Sequence, residues 1–589
     1  MSDAAVPERR SSRPWGFVPL LYFLESIPYV VVTTMSVVMY KKLGVGNEQI
    51  GLWTSLIAWP WTLKMLWGPM VDVNSTKRKW IIGTQMLMIV AMGFAAYAIG
   101  LPNFLAATLI CFVAMAMFSA THDIAADGFY LLALGEKDQA FFVGVRSTFY
   151  RLGTIFANGF LVYMAGQLET ITNATRFITV ENHRAFVAEH PAANPLVGLW
   201  YGIAGVWAGL GDAVGNFLKS LYLLAAPIVP DQIPRAWFVA LSFGIVVYAF
   251  AFVLNLFAMP RPAADRLRKP TIWMHLLGEF GQILLMVTGI LLFAQQVHLL
   301  YKVLECAVTG RWSVFEAEVR PLFNLGTIVG TPFWLEQGVA MAWVGGAWFS
   351  TRQLFGKIGM GPAAKSFFAQ NKIGWILAFV LFYRFGEIMI GKMSGPFLLD
   401  PVEKGGLAVP TATVGTITGM WGVLGLVFGG ILGGMVIAKF GIKRCLWPMV
   451  LALNVPNLLY VWAAANLPQR VADAPQYTHQ MVQWLIFVDQ FGYGFGFSAY
   501  MVYLMFIAQG TEFETSHYAI ATGLMALGAM ISGIVSGYAQ GALASMFPSA
   551  GGYLPFFIAV CFCTIPGMIT LLFIPMDRAD IRKAPIELD

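Results

Sequence analysis

The chain has 589 residues, of which 58% are hydrophobic and 12% charged, and its mean hydropathy is +0.68. That balance excludes a soluble globular domain and points to a polytopic membrane protein. A formal net charge of +6 would direct a soluble chain toward nucleic acid. In a membrane chain it reports where Lys and Arg sit relative to the bilayer, so no nucleic-acid partner is expected.

Residues 1–14 carry Arg9, Arg10 and Arg13 ahead of the first apolar run but no short apolar core with a small-residue cleavage site, and read as a cytoplasmic tail. Apolar runs of bilayer-spanning length, about 20 residues, follow near 15–40, 48–70, 80–101, 103–130, 140–166 and 236–259. A second set lies near 374–397, 411–438, 445–464, 481–509, 517–540 and 553–575, and two more, near 274–303 and 322–349, separate the sets. The expectation is an all-α protein of about 14 spans. Its parts are an N-terminal six-helix bundle at 15–260 with an outer insertion at 167–235, a central linker at 261–373 with two extra helices, a C-terminal bundle at 374–576, and a tail at 577–589.

With the N-terminus inside, more than half of the 37 basic residues fall in cytoplasmic segments, among them Lys77, Arg78, Arg261, Lys443 and Arg582. This agrees with the positive-inside rule and places both termini in the cytoplasm. The same parity makes the Gly-rich stretch near 195–226 an interfacial or re-entrant helix on the outer face, because a full span there would put the basic loop 261–269 outside.

Ionisable residues at membrane depth are expensive and mark functional sites. In SATHDIAADG, Asp123 and Asp127 lie about one helical turn apart on one face. A proton-coupled carrier needs a group that gains and loses a proton while facing alternate sides, and Asp123, Asp127 and Glu25 (YFLESIPY) are the candidates. Asp123 is the better coupling candidate and Asp127 the more structural one. Arg146 and Arg151, five residues apart on the next span, point in different directions; Arg151 is the expected partner of a fourth-span acid, with Arg146 nearer the cytoplasmic water.

In YRFGEIMIGKM, Arg384 and Glu387 share a face, with Lys392 two turns on. Arg384 or Lys392 could bind a solute carboxylate; neutralisation of Arg384 by Glu387 is the competing reading. Lys64, His122, Asp489, Gln490 and Tyr493 complete the expected substrate contacts, with Trp59 and Trp61 more weakly indicated because aromatic residues near span ends usually form interfacial belts. The run Gly425–Gly434 reads as a close helix-packing face. The five cysteines form no disulfide framework or metal site. No phosphate-binding loop is present, so ATP-driven transport is not expected.

SATHDIAADG with STFYRLG, and VDQFGYGFGFSAYMVYLM with TSHYAIATGLMALGAMISGIVSG, resemble the fourth and fifth and the tenth and eleventh helices of AmpG-type muropeptide permeases. These are a branch of the major facilitator superfamily related to acetyl-coenzyme A transporters. The loop GPMVDVNSTKRK, with Gly68, Asp72, Lys77 and Arg78, occupies the place of the superfamily's cytoplasmic signature between helices two and three. The family more often has Gln at the positions of His122 and His517.

The resemblance implies two six-helix bundles rocking about a central site, two extra central helices, and a bacterial inner-membrane location. It also implies proton-driven import of GlcNAc-anhydroMurNAc, with or without a peptide stem, by a monomer that uses no cofactor and catalyses no reaction. An importer of another bulky solute, oligosaccharide or siderophore, is the alternative within that class. A membrane-embedded transferase, with Glu181, His183, Glu189 and His190 as its only loop cluster, is the alternative outside it.

Overall fold

The computed structural model describes residues 14–64, 71, 75–134, 136–170, 215–262, 265, 333–357, 361–471, 473–508, 514–548 and 552–577, with scattered residues at 184–188 and 285–314. Residues 1–13 and 578–589, Gly68, Asp72, Glu181, His183, Glu189, His190, most of the 274–303 run and residues 195–214 lie outside the described residues. Among the described residues all the long elements are helices. In hydrocarbon the backbone must satisfy its own N–H and C=O groups, and a long apolar run does so within one helix.

The first set comprises α1 (Pro14–Lys42), α2 (Asn47–Leu56 and Trp59–Leu63), α3 (Lys77–Ala98), α4 (Phe104–Ala133), α5 (Glu136–Thr154, continuing through a wide turn at Ile155–Phe160 into Leu161–Glu169) and α6 (Gln232–Ala258). The second comprises α7 (Ile373–Leu399), α8 (Thr411–Phe440), α9 (Ile442–Asn466), α10 (Pro475–Ala508), α11 (Glu514–Met546) and α12 (Tyr553–Thr570). Among the described residues ten helices are long and apolar enough to cross a membrane. α2 and α5 are not among these ten: α2 is broken before Pro60, and α5 carries Glu136, Lys137, Asp138, Arg146 and Arg151. The helix Phe333–Lys357 overlaps the second of the two central runs but is not among the ten. Residues 215–224 of the expected interfacial stretch are helical, burying Leu218 and Tyr222 and exposing Phe217 and Leu224.

Within the first set α1 packs on α4, α5 and α6, and α3 on α4 and α6; within the second α10 packs on α8 and α9, and α9 on α12. The α8–α10 crossing is a glycine seam, since a Cβ on Gly433 would stand 2.8 Å from Phe495 O and one on Gly494 2.8 Å from Gly430 N. The Gly425–Gly434 run therefore works as the packing face its composition predicts.

The two sets meet through α2 against α11 and α5 against α8. At Gly51 a Cβ would lie 2.8 Å from the Gly537 Cα, and at Gly415 one would lie 2.6 Å from Tyr163 N. The wide turns Ile155–Phe160 and Ile417–Gly422 face each other across the α5–α8 contact. Such turns free a backbone carbonyl and recur at functional positions.

A polar network ties the sets together at the end carrying the α1–α2 and α7–α8 loops. Lys41 pairs with Asp400 (2.7 Å), Tyr553 Oη donates to the same Asp400 oxygen (2.5 Å), and Lys41 also donates to Asn47 Oδ1 (2.7 Å). Asn47 Nδ2 reaches Gln540 Oε1 (2.8 Å) and Tyr553 Oη (2.9 Å). Beside it Glu169 accepts from Thr411 (2.7 Å) and Trp237 (3.1 Å) and lies 3.2 Å from Lys42.

Candidate functional site

Helix breaks set the site. α7 is interrupted at Tyr383–Arg384, where Arg384 leaves helical geometry (φ −104°, ψ 8°) before the segment Phe385–Leu399. The interruption frees the Val380 carbonyl, which accepts instead from Tyr500 Oη (2.6 Å), while Tyr383 Oη donates to Gly496 O (3.0 Å). Discontinuous helices in the middle of a span are where carriers bind solutes and ions.

Arg384 stands at this break. Its guanidinium bonds Glu387 (3.0 Å), donates to Tyr493 Oη (3.0 Å) and lies over the Tyr493 and Phe497 rings, each 4.8 Å from the centroid. The first set holds a matching cluster. Arg146 of α5 bonds Asp127 of α4 (3.1 Å), donates to Tyr22 Oη of α1 (3.1 Å) and lies 4.8 Å from the Tyr22 centroid, with Tyr130 at 5.5 Å. Each cluster neutralises a guanidinium with one acid and covers it with the ring whose hydroxyl it also bonds.

Lys64, at the end of α2, pairs with Asp123 of α4. Glu25, buried on α1, lies in Coulombic range of Asp123, Asp127, Arg146 and Lys64, and its Oε2 has no hydrogen-bond partner. α5 reaches α1 here because it carries no side chain at Gly153, where a Cβ would stand 2.7 Å from Phe23 O. Tyr29 joins the two groups of charges: it packs edge-on to Trp61 (4.9 Å) and lies in range of Arg384, Asp123 and Lys64.

Lys392 bridges the sets in another way. Its ammonium donates to Thr54 Oγ1 (3.1 Å), Thr54 O (3.3 Å) and Thr33 O (3.5 Å), so a second-set cation is held by α1 and α2 of the first. Asp489, buried on α10, accepts from Gln490 (3.0 Å) and Tyr460 (3.3 Å).

Three sequence expectations change. The fourth-helix acids pair with Arg146 and Lys64, not with Arg151, which forms no ion pair or hydrogen bond among the described residues. The reason is angular: residues 146 and 151 are separated by about 140° on the helix, and α4 lies on the Arg146 side. His122 does not line the site. It is fully buried against α3, where Gln85 Nε2 lies 3.0 Å from its Nε2, and Asn255 of α6 donates to Gln85 Oε1 (3.2 Å). The competing reading of Arg384 holds, since Glu387 neutralises it.

His517 is likewise buried, with its Nδ1 3.3 Å from Gln370 Nε2. Of the expected signature loop, Lys77 and Arg78 are described. Both backbone amides donate to Asp265 (2.7 and 3.0 Å), which caps the start of α3 from beyond α6. Sequence reasoning missed Tyr22, Tyr29, Lys41, Glu169, Asp265 and Asp400. Gln85 and Asn255, lone polar residues within spans, were legible by the same cost argument that marked the acids.

No family model matches the chain. It is 28% identical over 211 residues (36% of this chain, 45% of the relative) to an uncharacterized protein of Haemophilus influenzae. It is 24% identical over 197 residues (33% and 39%) to "Putative transporter AmpG 1" of Rickettsia felis. To the "Anhydromuropeptide permease" of Escherichia coli K12 it is 23% identical over 208 residues (35% and 38%). The match spans less than half the length of these curated relatives.

Among solved structures, a peptide-bound POT family transporter has TM-score 0.52 at 10% identity, covering 95% of this chain and 96% of that one. An inward-facing bacterial homolog of the lysosomal transporter Spinster has 0.51 at 13% (94% of each). The D-xylose-proton symporter has 0.50 at 12% (95% and 96%). Over a third of its length the chain is thus similar to the AmpG permeases, and along nearly all of it the backbone has the major facilitator fold.

Proposed function

We propose that this protein is a proton-coupled secondary transporter of the bacterial inner membrane, importing peptidoglycan-derived GlcNAc-anhydroMurNAc conjugates, with or without peptide, by alternating access. The observation that carries the reading is that spans of both sets bring ionisable side chains together, Lys64 with Asp123 in one and Arg384 with Glu387 in the other, while Lys392 of the second is held by Thr33 and Thr54 of the first. A solute held there touches both bundles, so rocking one against the other changes the side to which it is open. Support for the substrate class comes from the name of the Escherichia coli relative, an anhydromuropeptide permease. Permease relatives and transporter neighbours fit a protein that moves a solute without transforming it.

The Lys64–Asp123 pair supplies the coupling step. Separation of the two helices exposes a carboxylate that takes a proton, and re-forming the pair expels it, with Glu25 alongside as a second acceptor. The test is uptake of radiolabelled GlcNAc-anhydroMurNAc into proteoliposomes under an imposed inward proton gradient, with and without a protonophore. Accumulation that the protonophore abolishes is expected; no uptake under the gradient sinks the reading. Asp123→Asn should reduce accumulation more than solute exchange, and equal loss of both would assign Asp123 to binding or folding.

A further inference from the structure

The cations between the two sets are satisfied one by one. Lys64 is paired with Asp123, Arg146 with Asp127 and Arg384 with Glu387, and Lys392 donates to Thr33 and Thr54. Arg151 differs from all of them. It sits near the middle of α5, is half-buried, and has neither an ion pair nor a hydrogen bond among the described residues.

Its charged and aromatic neighbours come from both bundles. Arg151 is in Coulombic range of Tyr493, the ring that Arg384 covers, and of Tyr150, which is itself in range of Tyr29, Glu25 and Asp123. Two residues on, Gly153 lies against the α1 backbone and fixes this part of α5 close to the other charged helices. A guanidinium carries five N–H donors in a planar fork matched to a carboxylate. Leaving that fork half-buried without an acceptor is costly unless water or a ligand supplies one.

We infer that Arg151 is the anion receptor of the central site, binding a carboxylate on the transported solute while Tyr29, Trp61 and Tyr493 cover the solute's ring faces. The inference rests on the carrier reading and narrows it to solutes bearing an acid group. Arg146 and Arg384 already have internal carboxylates, so among the described residues a neutral solute would leave Arg151 with no charged acceptor. A solute acid meets Arg151 as Glu387 Oε2 meets Arg384, which donates to it from both Nε and Nη2.

The test is calorimetric binding to the purified, detergent-solubilised protein of GlcNAc-anhydroMurNAc and of its methyl ester, which lacks the charge. The wild type should bind the acid at least about tenfold more tightly than the ester, as a charge-assisted bidentate bond requires. Arg151→Gln should lose that preference through weaker acid binding, with ester binding unchanged, and Arg151→Lys should keep part of it. No preference in the wild type, a preference that survives Arg151→Gln, or equal weakening of both ligands overturns the assignment. Binding is read without a gradient, so failed uptake with an intact, Arg151-dependent preference would refute transport alone.

Discussion

Asp400→Asn is expected to loosen the end of the molecule at which the two sets are tied. Asp400 receives Lys41 at 2.7 Å and Tyr553 at 2.5 Å. The side chains of Lys41 and Asp400 are 13% and 9% exposed, so solvent screens the pair weakly. An amide keeps the shape and one acceptor but removes the charge opposite a buried ammonium. Hydrogen bonds to charged groups contribute about 1.5–3 kcal/mol each, and about 2 kcal/mol lost from a contact present only when this end is closed shifts the closed-to-open ratio roughly thirtyfold.

The assay is a distance distribution between spin labels at Gly46 and Glu403, on the α1–α2 and α7–α8 loops, in a background with the five native cysteines replaced. The parent should give one short distance, and Asp400→Asn should add a longer population. Lys41→Met with Asp400→Leu should restore much of the short one, because an apolar pair leaves no charge stranded. An unchanged distribution in Asp400→Asn would refute the idea that this network holds the end closed.

Two further outcomes separate the paired clusters and the histidines. Glu387→Gln should lower thermal stability more than Asp127→Asn, by about 3–5 against about 0–1 kcal/mol, because the Arg384–Glu387 side chains are 14% and 11% exposed and those of Arg146 and Asp127 35% and 46%; melting curves in detergent check the order, and a reversed order refutes it. His122→Gln should leave solute affinity unchanged, since Gln can still meet Gln85, whereas His122→Leu should cost about 1–3 kcal/mol of stability by stranding a buried amide; a large change in affinity with Gln would return His122 to the site.

Much of the first-order description was legible in the chain. Apolar runs mark helices because hydrocarbon leaves a backbone no other partner, and the runs near 80–101, 103–130 and 411–438 correspond to α3, α4 and α8 within a few residues. Charged residues within apolar runs marked groups that call for partners, and Asp123, Asp127, Arg384 and Glu387 each have one.

Partnership was not legible. Arg146 and Arg151 are the same residue type five positions apart, and only the packing of α4 and α1 against α5 decided that Arg146 meets Asp127 and Tyr22. His122 adjoins Asp123 in sequence, yet neighbouring helical residues differ by about 100°, and the two side chains face different helices. The sequence by itself determined which segments are helical and which carry ionisable cost, because both follow from local transfer free energy. Only the tertiary structure decided which charges neutralise one another and left Arg151 without an ion-pair partner among the described residues, because that depends on the rotation and crossing of helices far apart in the chain.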